Sequence, residues 1–219
     1  MKPKVRAVLF DLDGTFADTA PDLAAALNHV RATRDLAPLP LEVLRPQASH
    51  GSVGLLQVGM AITPESPDFA ALRQIFLQHY SDNICVHTTL FDGIAELINQ
   101  LEARDIVWGI VTNKPQRFTV PLMQALGYAT RAGCLISGDT CTHAKPHPEP
   151  MHKACATINI AAANCLYLGD DQRDMQAANA VSMRGIIAGY GYVGEDCSVA
   201  NWLAQGSVST PLELLNFLT

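Results

Sequence analysis

Ala7-Val8-Leu9-Phe10-Asp11-Leu12-Asp13-Gly14-Thr15 begins as an apolar run and breaks at two aspartates two residues apart. A short apolar run bounded by turn residues suits a strand buried on both faces, the kind found in parallel sheets. If the chain stays extended, alternation aims Asp11 and Asp13 to one side. Asp-Gly is also a common turn, and aspartate a common helix cap. That plainer reading accounts for Asp13 and leaves Asp11 unexplained, because a second acid ending an apolar run gains nothing as a cap.

The same pattern recurs downstream. Val107 to Val111, Cys134 to Ile136, Cys165 to Leu168 and Gly185 to Ala188 are further candidate strands. Between them, Ile94 to Ala103, Arg117 to Leu126, Glu149 to Ile158 and Asp171 to Ala180 carry apolar residues near helical spacing. This alternation predicts an α/β fold, a parallel sheet flanked by helices. In such sheets ligands bind outside the carboxyl ends of the strands, so the residues just after each strand are where chemistry is expected. Those ends carry Asp11 and Asp13, then Thr112, Asn113 and Lys114, then Gly169, Asp170, Asp171 and Asp174. Magnesium favours one or two carboxylates, waters and phosphate oxygens, and two acidic strand ends could supply such a site. Asp171 or Asp174 could equally cap a helix. Thr112 and Asn113 offer a hydroxyl and an amide for a phosphate oxygen. Lys145 lies just before Pro146 and Pro148, which restrict the backbone that aims it.

Far more chain separates Phe10 from Val107 than one crossover helix needs, and Pro38, Pro40 and Pro46 break it. Helical periodicity over Leu23 to Val30 and Phe69 to Tyr80 predicts a mainly helical insert. Composition narrows the possible partners. The 219 residues are 48% hydrophobic and 16% charged, enough apolar surface to fold. A net charge of -6 disfavours nucleic acid and anionic membranes. No run reaches the roughly 18 apolar residues of a membrane span. Six cysteines without a CxxC pair, and with no export signal, point to reduced thiols and a cytoplasmic location.

In this order, DxDGT at Asp11 to Thr15, the strand-ending Thr112, Lys145-Pro146 and GDxxxD at Gly169 to Asp174 resemble the four motifs of the haloacid dehalogenase superfamily of phosphatases. The resemblance implies a Rossmann-like catalytic core formed by residues 1–17 and 88–219. It also implies a helical C1 cap over 18–87, as in the phosphoglycolate phosphatase-like group. It further implies that Asp11 is the nucleophile, Asp13 the acid and base, and Thr112, Asn113 and Lys145 the phosphate contacts. A Mg2+ ion would be held by Asp11, Asp13, Asp170 and Asp174.

The substrate implied is a small phosphorylated metabolite. Asp13 argues against dehalogenation, and the lack of lysine between Lys4 and Lys114 argues against a phosphonatase Schiff base. Leu90-Phe91-Asp92-Gly93, Trp108 to Pro115, Tyr190-Gly191-Tyr192, Glu195-Asp196 and Asn201-Trp202 are similar to the branch acting on N-acetylmuramic acid 6-phosphate in cell-wall recycling. The alternative is 2-phosphoglycolate; a phosphosugar mutase and a non-catalytic phosphosugar-binding protein also remain. Both leading substrates carry a carboxylate, for which Arg45 and His50 are the candidate cap contacts. The Ser49 to Gly54 segment reads as a loop. Gly189 to Gly194 matches GxGxxG but no βαβ unit follows it, so no dinucleotide is expected. Cys141, His143, His147 and His152 fit no common zinc spacing. Nothing in the sequence fixes an oligomeric state.

Overall fold

The computed structural model describes residues 4–193 and 199–218. Glu195, Asp196, Cys197 and Gly194 lie outside the described residues. Among those described, six parallel strands form one sheet: β1 (Ala7–Phe10), β2 (Val107–Val111), β3 (Leu135–Ile136), β4 (Cys165–Gly169), β5 (Arg184–Ala188) and β6 (Gly206–Val208). Their order across the sheet is β3-β2-β1-β4-β5-β6. β1 is therefore central, with Phe10 level with Ile110 on one side and Leu168 on the other. Its four residues are all buried, as a strand covered on both faces must be.

Alternation divides the core. Val8, Phe10, Trp108, Ile110, Leu166 and Leu168 face one layer, which includes α5 (Ile94–Glu102). Ala7, Leu9, Val111 and Tyr167 face the other, with α7 (Glu149–Ile158) and α8 (Gln172–Ala180). Ile94, Leu97, Ile98 and Leu101 of α5 are fully buried at spacings of three and four. At about 1.5–3 kcal/mol each, that stripe contributes several kcal/mol towards docking the helix. Trp108 packs in the core, with Nε1 donating to Glu102.

The segment after β1 holds α1 (Ala20–Ala32), α2 (Leu41–Leu44), α3 (Gly51–Met60) and α4 (Phe69–Asp82). Leu23, Leu27, Leu55, Leu56, Phe76 and Tyr80 give these helices an apolar cluster separate from those of the sheet. Both chain crossings to the sheet are tied together. Ala17–Asp18 pairs antiparallel with Thr89–Leu90. The buried Asp22 carboxylate accepts the backbone N–H groups of Val86, His87 and Thr88 and the Thr88 hydroxyl.

Two elements depart from expectation. The Ser49 to Gly54 segment is not a loop: Arg45–His50 is a 3-10 turn leading straight into α3. Gly51, Gly54 and Gly59 lower its helix propensity, but a side chain on Gly54 or Gly59 would collide with His50 or Leu27. Glycine there permits close packing, and tertiary contact overrides propensity. β6 escapes sequence reading because only Val208 of its three residues is buried. None of the described helices is long and apolar enough to cross a membrane.

Candidate active site

The carboxyl ends of β1, β2 and β4 converge, and Asp11, Asp170 and Asp174 bring carboxylate oxygens within 4.8 Å of one another. All three are buried. Asp11 follows β1 directly and is fixed by its N–H donating to Leu168 O of β4. Asp170 directly follows β4 and accepts from the Thr15 and Ser49 hydroxyls, each at 2.9 Å, and from the Tyr192 N–H. Gly14 sits at φ +81°, and a Cβ there would run into the Asp170 carboxylate and the Tyr192 ring. The turn after Asp13 therefore demands glycine for both conformation and space.

Among the described residues, one cation is paired with these acids. Lys145 Nζ lies 2.9 Å from Asp11 Oδ1 and 2.7 Å from Asp174 Oδ1, and also donates to Val111 O and the Tyr167 hydroxyl. Burial disfavours its charge, but Asp11 and Asp174 more than offset that and hold the ammonium's pKa above the usual lysine range. Asp174 is pushed up to about 7, chiefly by burial, which Lys145 opposes and Asp11 reinforces. Asp170 is raised well above the carboxylate range by burial and by its two acidic neighbours. Three carboxylates against one lysine leave a formal deficit of two positive charges. Asp11 Oδ1, although close to Lys145, accepts no hydrogen bond of good geometry. Buried hard-oxygen donors, an oxygen without a donor and a double negative excess together fit a divalent cation such as Mg2+.

The expected residues do not all arrive. Thr112 is buried at the end of β2 and borders the cavity above Asp11. Asn113, expected to hold a phosphate oxygen, instead commits its amide to Lys145: Nδ2 donates to Lys145 O and Oδ1 accepts Lys145 N–H. It orients the lysine. Arg45, expected to reach substrate from the insert, pairs with Asp18 at 2.8 Å, and its guanidinium lies over Tyr192. It is absent from the cavity lining, whereas His50 belongs to it. Asp171 caps α8 by accepting Arg173 N–H, and Arg173 Nη2 lies 2.7 Å from its carboxylate, so it turns away from the acidic cluster.

Lys114 stands among the strand-end residues of the sequence, but with no role assigned to it there. Its Nζ sits 2.8 Å from Asp13 Oδ1, where Asp13 also accepts the Thr19 hydroxyl. Alternation from Thr112 was the available signal, since residues two apart share a side. Tyr167 was also missed; a tyrosine hydroxyl inside a buried strand requires a partner, and here it contacts Lys145 and Asp174.

The cavity above these groups measures about 260 Å3. Asp11, Asp13, Thr112 and Lys145 lie at its polar end, and Leu23, Phe76, Tyr80 and Phe118 supply apolar wall from the helical segment and from α6 (Gln116–Ala125). The glycine-rich turn after β5 borders the site: Tyr190 donates to Thr15 O, and Gly191 packs against Gly14 O. Of the residues with a possible zinc reading, His143 and His147 gather with Glu149, without Cys141 or His152. Glu149 accepts the N–H groups of Thr142 and His143, and His147 Nδ1 accepts Glu149 N–H, so a turn before α7 accounts for the group.

Residues 8–188 match the family described as haloacid dehalogenase-like hydrolase. The chain is 41% identical to N-acetylmuramic acid 6-phosphate phosphatase of Pseudomonas putida, over 96% of this chain and 95% of that one. It is 40% identical to phosphoglycolate phosphatase of Xanthomonas campestris pv. campestris, over 95% and 94%. A crystal structure of a predicted phosphoglycolate phosphatase from Haemophilus somnus superposes with a TM-score of 0.85, covering 98% of each chain at 24% identity, a likeness of fold.

Proposed function

The chain belongs to the haloacid dehalogenase-like hydrolases and is a phosphoric monoester hydrolase, and from that premise we propose that it dephosphorylates N-acetylmuramic acid 6-phosphate through a phosphoryl group carried on Asp11. Residues 18–87 act as the cap, and residues 1–17 and 88–219 as the catalytic core. The observation that carries the substrate reading is the cavity. Its volume of about 260 Å3 and its wall of Leu23, Phe76, Tyr80 and Phe118 approach the lower end of small-ligand sites, roughly 300 Å3. A two-carbon acid has almost no apolar surface to set against that wall, whereas a sugar bearing an acetamido methyl does.

Asp11 attacks phosphorus and the ester P–O bond breaks, with the leaving alkoxide taking a proton from Asp13. Asp13 then removes a proton from water, which attacks the phosphoryl group; the bond to Asp11 breaks and inorganic phosphate leaves. Splitting one displacement into two lowers each barrier, and a positioned acid and base contributes about 10²–10⁴. Lys114 and Thr19 hold Asp13 in place. Lys145 and Thr112 bind the phosphoryl oxygens. Asp11, Asp170 and Asp174, with the backbone carbonyl of Asp13, would hold Mg2+, which when bound would neutralise charge on the transferring group.

Initial-rate assays of phosphate release test the substrate. N-acetylmuramic acid 6-phosphate is expected to give a higher kcat/KM than 2-phosphoglycolate; the reverse order would transfer the assignment to phosphoglycolate.

Metal binding carries a definite pH dependence. Asp174 rises from 3.8 to about 7 on folding, so without metal its contribution to stability is full below the lower value and lost as pH rises through the upper. Mg2+ competes with that proton. The melting-temperature rise on adding saturating Mg2+ is therefore expected to be larger at pH 8 than at pH 5. Equal rises would contradict the carboxylate cluster as the metal site.

A further inference from the structure

The cations around the cavity divide into two groups. Those at its polar end are already matched: Lys145 with Asp11 and Asp174, Lys114 with Asp13, and Arg173 with Asp171. Arg73 of α4 and Arg117 of α6 are not. Both line the cavity, one from the helical segment and one from the sheet domain. Neither forms an ion pair with a carboxylate among the described residues, although acids outnumber bases 21 to 15 in this chain. Arg73 Nε donates only to the Ser52 hydroxyl, and the Arg117 guanidinium lies over the Phe118 ring, 4.7 Å from its centroid.

The same two arginines, with Leu77 and Phe118, also line an adjoining cavity that continues past Gln74, Gln78 and Ser81. They thus stand where the two spaces meet. A guanidinium with free N–H groups presents a planar fork that matches a carboxylate. A phosphate bound at Lys145 and Asp11 leaves this pair for a second anionic group on the same molecule.

We propose that Arg73 and Arg117 form a carboxylate subsite, one arginine from each side of the cleft, that selects phosphomonoesters bearing a carboxylate remote from the phosphate. This rests on the phosphatase reading above, and it assigns to Arg73 and Arg117 the role that Arg45 cannot fill while it is paired with Asp18. Binding the carboxylate also joins the two sides of the cleft, because each arginine belongs to a different one.

The test compares N-acetylmuramic acid 6-phosphate with N-acetylglucosamine 6-phosphate, the same sugar phosphate with a free 3-hydroxyl in place of the lactyl ether and its carboxylate. Arg73→Gln and Arg117→Gln are each expected to lower kcat/KM for the sugar acid about 10- to 100-fold, mainly through KM, as loss of a charge-assisted contact does. The neutral ester is expected to change less than about threefold. Lysine at either position is expected to recover part of the loss, since charge returns without the fork. Both sites are exposed, and matched melting temperatures establish the fold; if Arg73→Gln melts early, Arg117→Gln carries the comparison. Equal losses on both esters, or none on either, overturn the subsite while leaving a working phosphatase. A wild-type protein inactive on both esters and on p-nitrophenyl phosphate would overturn the phosphatase reading itself.

Discussion

Asp11→Asn is expected to lower turnover of p-nitrophenyl phosphate with Mg2+ by about 10⁴-fold or more, with the fold retained. The substitution keeps the shape of the side chain and removes its nucleophilicity, because a carboxamide oxygen does not form a stable bond to phosphorus. The electrostatics predict a second result that separates chemistry from folding. Asp11, Asp170 and Asp174 crowd within 4.8 Å, with Lys145 the cation paired to them among the described residues. Removing one negative charge relieves repulsion in a buried place, so the metal-free variant is expected to melt no lower than the wild type. Its stabilisation by Mg2+ is expected to shrink, since one hard anionic donor is gone. Substantial turnover by a folded variant, measured by initial rates beside melting curves, contradicts the nucleophile assignment.

Lys145→Met is expected to destabilise the protein by about 3–5 kcal/mol at pH 8, a large share of a typical margin of about 5–15 kcal/mol. The cost arises less from lost attraction than from what is left behind. Lys145 is buried and contacts Asp11, Asp174, Val111 O and the Tyr167 hydroxyl. Methionine fills similar space and leaves buried carboxylates without a counter-charge. Lower pH is expected to recover part of the loss, because Asp174, already raised to about 7, becomes protonated. Asp174→Asn in the same chain is expected to recover part of it at pH 8, so the two changes should not add. Urea unfolding of the wild type, both single variants and the double variant measures this. A Lys145→Met variant within about 1 kcal/mol of wild type at pH 8 would show that the lysine is not the counter-ion of this cluster.

What could be read from sequence follows from how local each feature is. Asp11, Asp170 and the run of parallel strands were legible because each depends on its own few neighbours: an apolar run, a turn and an acid at its end. Thr112 and Lys145 required only the order of such ends along the chain. The bonding of Asn113 to the Lys145 backbone was not legible, because an amide after a strand suits phosphate and backbone alike and the Lys145 turn meets it only in the fold. Arg45 was misread for a similar reason, since Asp18 lies 27 residues away and meets it only once α1 and the turn after α2 pack. α3 stayed hidden behind its glycines, whose role is to admit Leu27 and His50. Arg73 and Arg117 are ordinary surface arginines in the sequence, and only the cleft between helices far apart in the chain brings them to one cavity.

The central claim is that Asp11 carries the phosphoryl group. Acid quenching during steady turnover, reduction with borohydride and peptide mass spectrometry test it most directly, because an acyl phosphate is reduced to an alcohol and a free carboxylate is not. The expected result is homoserine at position 11, dependent on substrate and absent from Asp11→Asn. Homoserine at position 13 instead, or no reduced residue in a sample shown to be turning over, would contradict the account.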